Sequence, residues 1–198
     1  MFKLKRNTLI SKEVIALSIP VILSNISRVL MGLIDMGMVG RLGANAIAAV
    51  GMGSMIVWVL MSLGISLRTA TQTLSSRRLG QKKYNECGNA LRNGQLLAFF
   101  LGIPLSIFCF QITDKIVSIF INDPNVLPYC VDYTKYNFLS VYTTLASFVF
   151  MGFYTGIEKP KLHMKVTILS NIINVYLNAG LIYGTQNIRT FFESIENP

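Results

Sequence analysis

A chain of 198 residues that is 52% hydrophobic and only 14% charged, with mean hydropathy +0.51, is too apolar for a water-soluble globular domain. Its formal net charge of +9 raises a nucleic-acid partner, but the cations cluster in alternate loops instead of along one face, which argues against it. Lipid is the solvent that this composition fits.

Crossing the hydrocarbon takes roughly 20 mostly apolar residues. Five stretches meet that length, near 14–39, 46–75, 93–112, 136–157 and 166–184, and they define an all-α polytopic membrane bundle. Residues 1–13 are a basic N-terminus carrying Lys3, Lys5, Arg6 and Lys12. The apolar run after it is too long for the roughly 7 to 15 residue core of a cleavable signal, so it reads as a retained span. Pro20 stands about one third of the way along this first helix and predicts a kink or hinge, because proline removes one backbone hydrogen bond.

Gly40-Arg41-Leu42-Gly43 is short enough only for a tight antiparallel return. The second helix begins near Ala46, extends toward Arg78 and ends at Leu79-Gly80-Gln81-Lys82-Lys83. The third starts after Arg92 and carries Pro104, and the loop around residues 123–128 reads as a turn plus a short surface helix. The fourth contains Gly152 and Gly156, a spacing that lets a neighbouring helix approach closely. After Glu158-Lys159-Pro160 the fifth runs to Gly184, and residues 185–198 form a polar external tail with Phe191 and Phe192 as its apolar pair.

The loops set the orientation. Lys3, Lys5, Arg6, Lys12, Arg77, Arg78, Lys82, Lys83, Arg92, Lys159, Lys161 and Lys165 fall on one side; Arg41, Lys115, Lys135 and Arg189 fall on the other, beside Asp114, Asp123, Asp132, Glu193 and Glu196. The positive-inside rule then places the N-terminus in the cytoplasm of a chain expected in the plasma (cell inner) membrane, and the basic surplus becomes a topology signal with affinity for anionic lipid. Cys87, Cys109 and Cys130 show no paired or metal-ligand spacing, and His163, the one histidine, reads as a solvated residue of a Lys-rich loop.

Ionisable residues inside spans cost roughly 2.5 to 3.5 kcal/mol each to insert and are functional candidates by default. There are three: Arg28, Asp35 and Arg68. Arg28 and Asp35 share one helix face about 10.5 Å apart along the axis, with Asn25 and Gly32 on the same stripe. Asp35 admits two roles, an ion-pair partner of Arg28 or Arg68, or an acid that binds Na⁺ or a proton. Arg68 also admits a second one, snorkelling toward the cytoplasmic interface. On the fifth helix Asn171, Asn174 and Asn178 stack on one face, where their amides suit either interhelical hydrogen bonding or hard-ligand contacts to Na⁺. No Ser/His/acid triad or phosphate-cradling loop can be assembled, so catalysis is not expected, nor is any cofactor or any metal beyond Na⁺.

Taken in register from residue 10 to 184, these segments resemble the multidrug and toxic compound extrusion (MATE) transporters. Ile19-Pro20 followed by Gly32-Leu-Ile-Asp35-Met-Gly-Met-Val-Gly40-Arg-Leu-Gly43 resembles that family's first helix, whose acid stands fifteen residues after a proline. Gly64-Ile-Ser-Leu-Arg68 with Arg77-Arg-Leu-Gly80 resembles the second helix, and Phe120-Ile-Asn-Asp-Pro124 with Tyr133 the loop before the fourth. Gly156-Ile-Glu-Lys-Pro160 is similar to the turn before the fifth, and Asn171-Ile-Ile-Asn174-Val-Tyr-Leu-Asn178 with Gly184 to the fifth itself.

The resemblance implies two six-helix bundles in a V, exporting cationic or amphipathic drugs against Na⁺ or H⁺ by alternating access around a midplane cavity. It makes Asp35 the coupling acid, with Asn174 and Asn178 as its partners. Where some branches carry an aspartate this chain has Asn178, leaving one carboxylate, and Arg28 and Arg68 are additions to the pattern. Five helices correspond to an N-terminal lobe without its sixth helix, so the chain reads as truncated, with a C-terminal lobe as an expected partner beside lipid and small-molecule substrates. The rival expectations are a lipid or lipid-linked-sugar flippase of the wider superfamily and an inactive lobe that only assembles with a partner.

Overall fold

The computed structural model describes residues 8–40 and 42–183, and every regular element among them is a helix. They are α1 (Thr8–Gly40), α2 (Ala44–Gly80), α3 (Tyr84–Gln111), α4 (Thr113–Phe120), α5 (Leu127–Leu139), α6 (Val141–Gly156) and α7 (Pro160–Tyr183). The helices α1, α2, α3 and α7 are each long and apolar enough to cross a membrane, and α5 with α6 supplies a fifth span bent by 51°. The polar tail proposed for residues 185–198 and the first seven residues lie outside the described residues.

The expected helices are present, and all five spans begin before the apolar stretch that announces them. At 37 residues α2 is about 55 Å long, well beyond the hydrocarbon thickness, so it projects out of the membrane. The third helix starts at Tyr84 instead of 93, taking in Glu86 and Arg92, and α7 starts at Pro160 instead of 166. Proline fits a first helical turn because the N–H it lacks would have no intrahelical acceptor there. Between α2 and α3 the turn is closed by Gln81 N–H to Arg77 O (3.2 Å) and Lys83 N–H to Arg78 O (3.0 Å), with Glu86 pairing Arg78 and Lys83 on the surface. The return between α1 and α2 passes through Gly43 at φ +103°, a backbone region that favours glycine.

The fourth span departs most from expectation. A single helix over 136–157 was predicted; the helix begins at Leu127 and breaks at Ser140. Asp132 and Lys135 had hidden its first half from a hydropathy reading, and the short helix expected near residues 123–128 lies ahead of the turn, as α4. A break in a span frees backbone carbonyls that lipid cannot satisfy. The Ser106 hydroxyl of α3 lies against both that matter here, 2.6 Å from Phe138 O and 3.1 Å from Leu139 O.

The largest helix contacts are α2 on α6, α1 on α7 and α3 on α6. Val57, Ala98, Phe138, Val141, Leu145 and Val149 form the main buried cluster between α2, α3, α5 and α6. Close packing on α6 rests on the predicted glycine pair. A Cβ at Gly152 would collide with the Arg68 backbone, and one at Gly156 would stand 2.7 Å from Gln72 O. Side chains such as Val59, Phe100, Ile119 and Leu181 remain more than half exposed, a surface suited to lipid.

Candidate functional site

Two seams of the bundle carry its polar groups, and α7 belongs to both. Along the first, α1 and α7 run parallel and are joined by amide rungs. Asn171 Nδ2 donates to Ser27 Oγ (2.8 Å) and approaches Ser27 O (3.2 Å). Two turns further along, Asn178 Nδ2 donates to Asp35 Oδ1 at 2.8 Å and to Asn174 Oδ1 at 2.8 Å. Both N–H donors of the Asn178 amide are thereby used. Asp35 keeps its second oxygen.

The structure therefore brings Asp35, Asn174 and Asn178 together and sets Asn171 higher on the same seam. Arg28 turns away from Asp35: its Nη2 donates to Asn25 Oδ1 at 2.6 Å. Neither Arg28 nor Arg68 forms an ion pair with Asp35; among the described residues the salt bridges are those of Glu86. Arg68 is half-buried where α2 crosses Gly152, and Pro20 is buried within a continuous α1, its carbonyl accepting from Ser24 Oγ at 2.8 Å. Chemically, the Asp35 cluster offers one carboxylate and two amide oxygens, hard donors suited to a proton or a small monovalent cation.

The second seam is a cavity of about 420 Å³ between α1, α2, α5, α6 and α7. Trp58, Val57, Met61 and Phe148 give it apolar walls; Arg28 and His163 are its charged or chargeable lining. Tyr133, also on its wall, lies within electrostatic reach of Asp35, and Asn171 belongs to the cavity and to the α1–α7 seam at once. The cavity and the α1–α7 seam thus share Asn171.

His163 corrects the sequence reading. It is not a solvated loop residue but a half-buried member of α7, with Nε2 3.3 Å from Thr167 Oγ1. A signal for it was available. His163 and Thr167 continue the stripe of Asn171, Asn174 and Asn178 at three- and four-residue steps, and Pro160 is a good first residue for a helix. Trp58 carried no such signal, since an aromatic residue in a span faces lipid or cavity with equal ease, and the sequence reading places Tyr133 in a loop.

Residues 20–179 match the MatE family. The chain is 29% identical over 177 residues to the multidrug export protein MepA of Staphylococcus haemolyticus, covering 88% of this chain and 39% of that one. It is 25% identical over 181 residues to the probable multidrug resistance protein NorM of Mannheimia succiniciproducens, covering 91% and 39%. Its fold is similar to that of a MOP superfamily transporter from Pyrococcus furiosus, with TM-score 0.82, 22% identity and coverage of 87% of this chain and 38% of that one. The chain spans about two fifths of the length of the curated relatives it matches. With the family match running over most of the helical bundle, this chain is a membrane protein that belongs to the MatE family of multidrug and toxic compound extrusion transporters.

Proposed function

We propose that the chain supplies the N-terminal lobe of a secondary transporter that exports amphipathic drugs, cationic ones included, in exchange for Na⁺ or H⁺ across the plasma membrane, with its N-terminus in the cytoplasm. One observation carries the coupling role: the Asp35 carboxylate is joined to α7 by the 2.8 Å bond from Asn178 and bears no ion pair among the described residues. A cation or proton arriving at the second oxygen of Asp35 neutralises the carboxylate and weakens the charge-assisted bond that joins α1 to α7. Because both helices line the cavity, ion binding and cavity shape are then linked, as alternating access requires. Asn174 and Asn178 orient the acid and offer amide oxygens to the ion.

The test is efflux of fluorescent amphiphiles, ethidium and an anionic fluorescein derivative among them, from drug-sensitised cells expressing the native chain or Asp35→Asn at matched membrane levels. Loss of efflux both in the variant and on collapse of the ion gradient is the expected result; efflux that Asp35→Asn leaves intact removes the coupling role. A second reading is favoured by the chain's two-fifths span of its relatives: it works only when assembled with a second lobe. Efflux that appears only on co-expression with such a lobe selects it.

A further inference from the structure

The charge lining the cavity has one sign. Arg28 and His163 line it, no carboxylate does, and Arg68 lies within electrostatic reach of both. A guanidinium has five N–H donors, and Arg28 spends one on Asn25. Neither arginine has an ion-pair partner among the described residues. Two guanidiniums within electrostatic reach of each other beside an apolar wall, with no carboxylate on the cavity lining, repel one another, and what relieves them is an anion, to which the His163 imidazole can offer a hydrogen bond. Asp35 does not serve, since its bond runs to Asn178 and it stands outside the cavity lining. Beside Arg28, Trp58, Val57, Met61 and Phe148 offer a wall for an apolar body.

We infer that this cavity receives an amphipathic anion, its phosphate- or carboxylate-type head held by Arg28 with His163 and Arg68 behind it, and its apolar body laid against Trp58 and Phe148. The inference rests on the export reading above and specifies its substrate class: among amphiphiles, this lobe favours anionic heads over cationic ones. The same head chemistry reaches the cavity either from a membrane lipid or as a free amphiphile.

Trp58 is the one tryptophan of the chain and lines the cavity, so it reports occupancy directly. The purified chain in an uncharged detergent is titrated with two dansyl-tagged alkyl probes of equal length, one ending in phosphate and one in trimethylammonium, and energy transfer from Trp58 is read. The phosphate probe is expected to reach half-saturation at a concentration about tenfold or more below that of the ammonium probe. Arg28→Gln should raise the phosphate value about tenfold, whereas Arg28→Lys, which keeps the charge, should recover most of the affinity and shows that the site is folded. Equal or tighter binding of the ammonium probe, or a phosphate affinity indifferent to Arg28→Gln, overturns the inference. Phosphatidylglycerol that displaces the probe assigns the site to a lipid headgroup; displacement by a soluble alkyl phosphate but not by the lipid assigns it to a free amphiphile. No ion gradient enters this assay, so its failure leaves Asp35 coupling standing, and failure of Asp35 coupling leaves this binding intact.

Discussion

At the scale of single residues, the α1–α7 seam depends on which acceptors remain after a change. Asn171 donates from one nitrogen toward two oxygens of Ser27, hydroxyl and carbonyl. Removing the hydroxyl leaves the carbonyl in place; removing the amide removes the rung. Asn171→Ala should therefore lower stability by about 0.6 to 2 kcal/mol and Ser27→Ala by less, read as unfolding in detergent by circular dichroism. Equal losses would mean that the rung does not hold the helices. The pairing of Asp35 with Asn178 was implied by the resemblance to the extrusion transporters; the polar stripes themselves showed that both faces are inward but left Arg28 and Arg68 as candidate partners of the acid. Where Arg28 turns was not legible in the sequence, because periodicity fixes the face a residue occupies and says nothing about the direction its long side chain takes. His163 was misread for a related reason: a loop rich in lysine looks alike whether or not a helix has already begun within it.

At the scale of elements, the number and order of spans and the close of α2 at Gly80 followed from the sequence, while the starts of the helices and the break at Ser140 did not. Hydropathy detects where a helix is surrounded by lipid. It is blind to turns that begin in water, as the first turns of α3 do, and to a span whose first half holds Asp132 and Lys135. The break persists because α3 supplies a donor: Ser106 lies within hydrogen-bonding distance of both Phe138 O and Leu139 O. Ser106→Ala leaves buried carbonyls without that hydroxyl and should cost about 1 to 3 kcal/mol. Ser76, exposed on α2 and bonded only to Thr73 O of its own helix, is the control, and Ser76→Ala should stay within about 0.5 kcal/mol. A Ser106→Ala protein with the control's melting profile would mean that the bend is held by packing alone.

At the scale of the whole molecule, the cation distribution and the helix order make one joint statement, because alternate loops must lie on opposite sides of the membrane. The α2–α3 turn belongs with the basic side, and the loop between α4 and α5 with the other. Asn85 and Asn125 are exposed markers of these two sides, and neither carries charge, so replacing them leaves the cation asymmetry as it was. The three native cysteines are buried, which keeps background labelling by a membrane-impermeant maleimide low. Asn125→Cys should then label in intact cells, and Asn85→Cys only after the membrane is opened. The reverse pattern would invert the chain and carry the cavity with it. His163, which lines the cavity nearer the basic side than Asp35, would then lie toward the outside instead of the cytoplasm, and the export cycle proposed above would have to run in the opposite sense.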